Sequence, residues 1–580
     1  MTLTTKGRPT TQTFDIGGQT AFHCYRKKEV QIPSVPGSSP PKPSLLLFDL
    51  ENKANKGTDG YDYIHNSQQV APIALYGTSG AGKTRTIFEY LSHNYGFYLN
   101  PGADHLFNPG SQDVIALLNL WEQMVQPIPS GKGISSKEKA KVGAANIALV
   151  VKPLQALIEL RKAVFNHINA MLDGNLTCHQ WLLVQLFPEH FLGTDVFQDL
   201  FLELKDKKFD YDWIDSHKIE MSCFLDEAQG LLKRMGNFFC SSNGEEERSA
   251  YYACLQGLTK LQSFKIIHYP CFSGTGMSLE DYKAQMASLL NKPQLKEHQF
   301  FFARLKTMNS GDVTEYLKKF LDLHSVGKDL VEHVGKWLTG RPRWAATFIE
   351  TYLEKPQTRK HNINGDFRPP EVPLVMALNR YIEICSCPNT ESPRDSWTLE
   401  ERSAFSAVRN MYKKEGKQWS DMHWSFRKAV FGFSLGGSPQ VVQSHAAELI
   451  EQGVASVETE PTTANSVEAQ PAESTGSKEK GFIRCRISEP LIIQASLNYF
   501  GLDEFTAEQL AAVLDDDVVK GIKFEDFLLP AILRRFRGPA AEQLQEDSFL
   551  SEYHVLGWSS YGVLATRCAK PTETIDWLNR

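Results

Sequence analysis

Apolar and polar positions follow two rhythms along the central part of this chain. Short apolar runs, Ile73 to Tyr76 and Met221 to Leu225, read as buried strands, and a third lies around Tyr269 to Phe272. Longer segments between them carry apolar residues at helical spacing. Ile87, Phe88 and Leu91 mark one face of a helix after the first run, and Ser135 to Leu172 reads as mostly helical, with a break or kink near Pro153. Strands alternating with helices predict an α/β fold built on a parallel sheet. Pro270 is awkward in the third run if that strand is central, because proline has no N–H to give the ladder.

The rhythm fades in two places. "IPSVPGSSPPKPS" (Ile32 to Ser44) and "VETEPTTANSVEAQPAESTGSKEKG" (Val457 to Gly481) are polar, with Pro and Ser, and cannot bury enough apolar surface to fold. No internal repeat is visible. The expected organisation is a partly disordered N-terminal extension over 1–60, the main α/β block with a large helical insertion or lid over 61–370, and a helical region over 371–455. A disordered linker over 456–482 then leads to a smaller α-rich or α/β module over 483–580.

The chemistry concentrates just after the first strand. "ALYGTSGAGKTRTIFEYL" carries Gly77, Thr78, Ser79, Gly80, Ala81, Gly82, Lys83 and Thr84 in the pattern G-x-x-x-x-G-K-[ST]. Backbone that curls around a phosphate with its N–H groups inward favours small residues, and a helix that begins there turns its positive end toward the anion. Lys83 is placed to reach the β- and γ-phosphates and Thr84 to ligate Mg²⁺, and Arg85 is included in the nucleotide-binding stretch. A phosphate site of this kind calls for an acid. Asp226 and Glu227 follow the second strand run, at the carboxyl end where open α/β sheets bind ligands. Asp226 is assigned to Mg²⁺ and Glu227 to activation of the attacking water. About 140 residues lie between Thr84 and Asp226, more than a minimal core requires. In "CFSGTGMS", Ser273 or Thr275 could sense the γ-phosphate, and a small-residue turn fits the stretch equally well. In "WLTGRPRWAATFIETYL", Arg341 and Arg343 flank Pro342 before an amphipathic helix. Such arginines either stabilise developing phosphoryl charge, in cis or in trans, or are solvated at a helix start.

Composition narrows the setting. The 580-residue chain carries a net charge of -6, which does not suit a whole-chain nucleic-acid coat. Its ten cysteines are scattered and do not form a disulfide framework, so a reducing environment is expected. The polar start, "MTLTTKGRPTTQTFDIGG", has no secretory h-region, and no uninterrupted apolar stretch spans a bilayer. The expectation is a soluble protein that acts inside cells, with any export non-classical and no membrane partner.

Taken in order, "YGTSGAGKTRTIFEYL", "NYGFYLNP", "HQWLLVQLFP", "CFLDEAQGLL", "FSGTGMSL" and "GRPRWAATFIE" resemble Crinkler (CRN)-type proteins of fungi and oomycetes. "SEPLIIQASLNYFG…GIKFEDFLLPAILRRF" extends the resemblance, which spans about Ala71 to Arg537. It implies a P-loop NTPase core, of the ASCE or AAA-like kind, coupled to a restriction-endonuclease-fold domain. ATP or GTP with Mg²⁺ would be the cofactors. It further implies an effector-like role inside a host cell, often in its nucleus, with nucleic acid or a host nuclear protein as partner. By position, Lys83, Thr84, Asp226 and Glu227 match the nucleotide motifs, and Glu525 matches the helical acid that opens the nuclease domain. Two departures stand out. The N-terminal motif of Leu-x-Leu-Phe-Leu-Ala-Lys type carried by oomycete members does not occur in this sequence, and no Asp with a following Glu-x-Lys or Gln-x-Lys strand pair comes after Glu525. The nuclease module is therefore expected to be incomplete, and nuclease activity is not expected.

Three other patterns lead nowhere. Gly432 to Gly436, "GFSLG", would make Ser434 a nucleophile at a strand-to-helix elbow, but no hydrolase sheet precedes it. Cys385 and Cys387 have no second pair to complete a zinc site. "RRFRG" (Arg534 to Gly538) reads as a solvated helix end.

Overall fold

In a computed structural model, the described residues are 32–33, 35–36, 44–52, 58–67, 72–102, 111–131, 133–209, 221–232, 234–275, 301–302, 305, 307–321, 323, 327–354, 374–387, 404–414, 417–436, 440–443, 445–458 and 484–500. Two compact units divide the chain. The first comprises 1–306, 316–322 and 345–370; the second comprises 307–315, 323–344 and 371–580.

The first unit is an α/β layer structure. Its parallel sheet contains β1 (Ile73–Tyr76), β2 (Gly96–Leu99), β3 (Met221–Leu225), β6 (Ile267–Gly274) and β7 (Phe301–Phe302), in the spatial order β2-β3-β6-β1-β7. A separate short pair, β4 (Phe239–Cys240) and β5 (Glu247–Arg248), is antiparallel. Every residue of β1, β2 and β3 is buried, as expected for strands covered on both faces. Side chains alternate between two cores with period two. Ala74, Phe97, Leu99, Cys223 and Leu225 enter one core, where α3 (Gln112–Met124), α4 (Ser136–Met171), α7 (Val196–Asp206) and α9 (Ala250–Ser263) pack. Ile73, Leu75, Tyr98 and Phe224 enter the other, with α1 (Asp59–Asn66), α2 (Lys83–Leu91) and Leu182 and Leu186 of α5 (Cys178–Leu186). Two short helices, α6 (Pro188–Leu192) and α8 (Gln229–Leu232), also lie among the unit's described residues.

Pro270 lies in the middle strand of the five. Between the pairs Met221↔Ile267 and Cys223↔Pro270 the register shifts, with one extra residue on β6. The irregularity falls where proline lacks its donor, so the ladder bulges and continues. The long segment, expected to be mostly helical with a break or kink near Pro153, is unbroken: a single 36-residue helix opened by a capping box between Ser135 and Glu138. By length and composition alone α4 could cross a membrane, but most of its apolar stretch is buried inside the protein, as in a core helix.

A buried ion pair ties the helices to the sheet. Arg161 on α4 donates Nε and Nη2 to the two oxygens of Asp113 on α3, both at 2.8 Å, and its Nη1 donates to Tyr98 O and to Gln185 Oε1. Both charged side chains are 1% exposed. The geometry is bidentate and the remaining nitrogen, Nη1, finds two oxygens, which offsets the desolvation of the two ions.

The second unit holds helices at Lys328–Trp337, Leu374–Ser386, Ala404–Tyr412, Lys417–Gly436, Ala446–Glu451 and Pro490–Phe500, with an antiparallel sheet in the order β8 (Gln440–Val442), β10 (Cys485–Ile487), β9 (Ser456–Val457). Cys485 pairs with Val457, and Arg486 with Ser456. Residues 459–483, most of the stretch expected to be a disordered linker, lie outside the described residues. Ser434 lies within the helix Lys417–Gly436, so "GFSLG" forms no strand-to-helix elbow. The module expected over 483–580 is described only as far as Phe500; Glu525 and Arg534 to Gly538 lie outside the described residues. Eight cysteines are described and none forms a disulfide.

Replacing Asp113 by Ala strands the buried Arg161 guanidinium, and should lower unfolding free energy by about 3–5 kcal/mol in chemical denaturation. The double variant Asp113→Leu/Arg161→Met should recover most of that loss; an unchanged midpoint for Asp113→Ala would contradict the role given to the pair.

Candidate active site

Parallel strands end together at one edge of the sheet, and the residues that follow them meet there. The register sets Tyr76 beside Gly274 and Leu75 beside Ser273 across β1 and β6, and Leu225 beside Phe272 across β3 and β6. The loop after β1, the acids after β3 and the polar end of β6 therefore lie side by side.

The loop from Gly77 to Gly82 joins β1 to α2. Gly80 (φ 82°) and Gly82 (φ 103°) take left-handed backbone, which residues with a Cβ rarely adopt. A Cβ on Gly82 would meet nothing within 4 Å, so glycine is needed there for its backbone and not for space. No side chain caps the N-terminus of α2, whose dipole turns toward the loop. Lys83 is 5% exposed, and its ammonium folds back over the loop. It donates to Gly77 O at 2.6 Å, to Thr78 O at 3.0 Å and to Thr275 Oγ1 at 3.0 Å.

Thr84 Oγ1 donates to Asp226 Oδ2 at 2.7 Å across 142 residues of chain. Asp226 is 1% exposed. Its Oδ2 also accepts from the Tyr98 hydroxyl at 3.1 Å, its Oδ1 accepts from the Glu227 amide at 3.0 Å, and its own amide donates to Leu99 O. Burial, and then the charge of Glu227, push the Asp226 carboxyl up; the Thr84 and Ser273 hydroxyls and the Lys83 ammonium pull it down. Burial also holds the Tyr98 phenol well above its ordinary value, with the two acids adding to the effect, so it remains a donor. Glu227 has φ 52°, uncommon for a residue with a side chain. Its carboxylate accepts from Gln229 Nε2, and Gln229 Oε1 accepts from the Thr275 amide at 3.0 Å.

Magnesium prefers oxygen donors and keeps much of its water, so it is held by one or two protein oxygens together with phosphate. The touching oxygens of Thr84 and Asp226, beside a backbone cradle that a Cβ would strain, fit that demand. Lys83, Thr84, Asp226, Glu227 and Thr275 thus converge, and Ser273 sits beside the Asp226 carboxylate. The sequence reading assigned no role to Tyr98, Asn100 or Gln229. Asn100 is fully buried, and its Oδ1 accepts from the Gly102 amide.

Arg85, expected in the nucleotide stretch, sends its side chain elsewhere. The Nε group bonds Glu89, and Nη1 donates to the carbonyls of Leu45, Leu46 and Phe48. Its guanidinium fastens the segment 44–52 to α2, where Ser92 Oγ also donates to Leu50 O. Arg341 belongs to the second unit. It is 4% exposed, bonds Glu489 through Nε and Nη2, donates to Gly453 O, and lies over the Trp344 ring. Arg343 is partly exposed at the start of the helix Pro342–Glu354.

Changing Arg85 to Ala removes those carbonyl contacts. The segment 44–52 should become sensitive to limited proteolysis while the rest of the protein stays folded; unchanged resistance of that segment would contradict the role given to Arg85.

No family model matches the chain, and no curated protein matches it. Among solved structures it is similar to the Walker-type ATPase paby2304 of Pyrococcus abyssi, with 14% identity, a TM-score of 0.32, and 75% of this chain and 94% of that chain covered. At that distance the likeness carries no argument about what this chain binds or does.

Proposed function

We propose that the first unit binds a nucleoside triphosphate, ATP or GTP, with Mg²⁺ and hydrolyses it. The observation that carries the reading is the meeting of the phosphate loop with the acid of β3, through Thr84 and Asp226. The loop amides and the Lys83 ammonium bind and orient the phosphate tail. Lys83 exchanges its contacts to Gly77 O and Thr78 O for phosphate oxygens. Thr84 and Asp226 hold the cation, which when bound neutralises charge on the phosphates. Glu227 takes a proton from the water whose oxygen attacks the γ-phosphorus. The bond to the bridging oxygen breaks, and nucleoside diphosphate and inorganic phosphate leave.

The Crinkler-type resemblance supports a wider version, in which the nucleotide state controls the C-terminal region or is read by nucleic acid or a host protein. The catalytic set proposed here does not draw on Arg341 or Arg343, whose expected contribution in cis or in trans comes from their place on either side of Pro342 before an amphipathic helix.

Phosphate release from ATP and GTP by the wild type, beside Lys83→Ala and Glu227→Gln, tests the reading. The wild type should hydrolyse one of them. Lys83→Ala should lose nucleotide binding, and Glu227→Gln should bind normally with kcat lower by about 10²- to 10⁴-fold, the usual contribution of a positioned general base. Unimpaired binding by Lys83→Ala would overturn the reading; wild-type binding without turnover would leave a nucleotide-dependent switch in place of an enzyme.

A further inference from the structure

Gln229 stands two residues beyond Glu227, at the start of the four-residue helix α8, and its amide uses both ends. Nε2 donates to the Glu227 carboxylate, and Oε1 accepts from the Thr275 backbone amide. The Thr275 hydroxyl in turn accepts from Lys83 Nζ. Three hydrogen bonds, joined through the covalent frames of Thr275 and Gln229, therefore link the lysine after the loop to the acid after β3. A second contact confines Glu227: a Cβ added at Gly102 would come within 3.0 Å of its Cβ, so the β2 loop lies against that side chain. The local backbone is fastened too, because the Ala228 amide donates to Ser273 O at 2.8 Å.

We propose that Gln229 is a positioning residue that aims the Glu227 carboxylate and links that aim to Lys83 through Thr275. The proposal rests on the hydrolytic reading above. A primary amide suits the task because it presents one donor and one acceptor in a fixed plane. Its donor satisfies a carboxylate oxygen without giving up a proton, and its acceptor anchors the plane to rigid backbone. When the lysine gives its third donor, the one on Thr275, to a γ-phosphate as well, the hydroxyl of Thr275 loses that donor, and the rearrangement reaches Glu227 through two further hydrogen bonds. Nucleoside diphosphate offers no γ-phosphate and leaves the Lys83–Thr275 contact in place. Gln229 touches neither phosphate nor cation, so its contribution belongs to the rate of hydrolysis and not to affinity.

The test uses the full chain and whichever of ATP or GTP the wild type hydrolyses. Gln229→Ala and Gln229→Glu are made in the wild-type and Glu227→Gln backgrounds, and nucleotide affinity and single-turnover rate are measured for each. Gln229→Glu keeps the acceptor toward Thr275 but has lost the donor toward Glu227. In the wild-type background both variants should bind nucleotide with unchanged affinity and hydrolyse it about 10- to 100-fold more slowly, the scale of a misplaced catalytic group. In the Glu227→Gln background neither should slow the residual rate further, because the group through which Gln229 acts is already gone. Equal losses in both backgrounds, a parallel loss of affinity, or full activity of Gln229→Ala would each overturn the proposal while leaving an active wild type as support for the hydrolytic reading. A wild type that hydrolyses neither nucleotide would overturn both.

Discussion

The contact between the Thr84 hydroxyl and the Asp226 carboxylate organises the first unit. It joins residues 142 positions apart, and only a particular sheet can make it. β1 and β3 must run parallel so that their carboxyl ends coincide, and β6 must lie between them to set the spacing. The intervening chain must leave and return without covering that edge. Part of that chain forms α3, α4 and α7, which pack on one face of the sheet. The Arg161–Asp113 pair anchors those helices to the carbonyl of Tyr98, whose hydroxyl in turn reaches Asp226. Structural and chemical roles thus meet at one residue of β2.

Charge explains why the site needs such support. Two adjacent carboxylates, one of them almost fully buried, are costly in a low-dielectric edge. Asp226 is tolerable because Thr84, Tyr98 and the Glu227 amide all donate to it, with the Lys83 ammonium close enough to lower its pKa. Glu227 escapes the worst of the burial by taking positive-φ backbone that carries it away from Asp226 toward Gln229. Backbone strain at such a position costs on the order of 1–3 kcal/mol and persists only where the surroundings enforce it.

Much of this is legible in the sequence. β1 and β3 were readable because both of their faces are buried, which produces unbroken apolar runs. The loop was readable because its G-x-x-x-x-G-K-[ST] pattern admits few residue types at each position. β2 was harder: Gly96 begins it, and its four residues have no alternating pattern to mark them. Pro270 argued against a central strand, and only the register shift reconciles it with that place. Arg85 was assigned by adjacency to Thr84, yet a side chain of that length follows its partners, here three carbonyls of 44–52. Gln229 left no mark in the sequence, because its role comes from a hydrogen bond to Thr275, 46 residues away.

The second unit shows the same principle in another form. Glu489 is 2% exposed and gathers both Arg341 and the Trp344 indole, fixing the "GRPRW" stretch to the residues after β10. Its importance to nucleotide chemistry is separable from the claim at the centre of this account, which concerns the cation shared by Thr84 and Asp226. Binding of Mn²⁺ in the presence of nucleotide, followed by electron paramagnetic resonance, addresses that claim directly. The account predicts a protein-bound Mn²⁺–nucleotide signal for the wild type that is lost or greatly weakened in Asp226→Asn; an undiminished signal in that variant would contradict it.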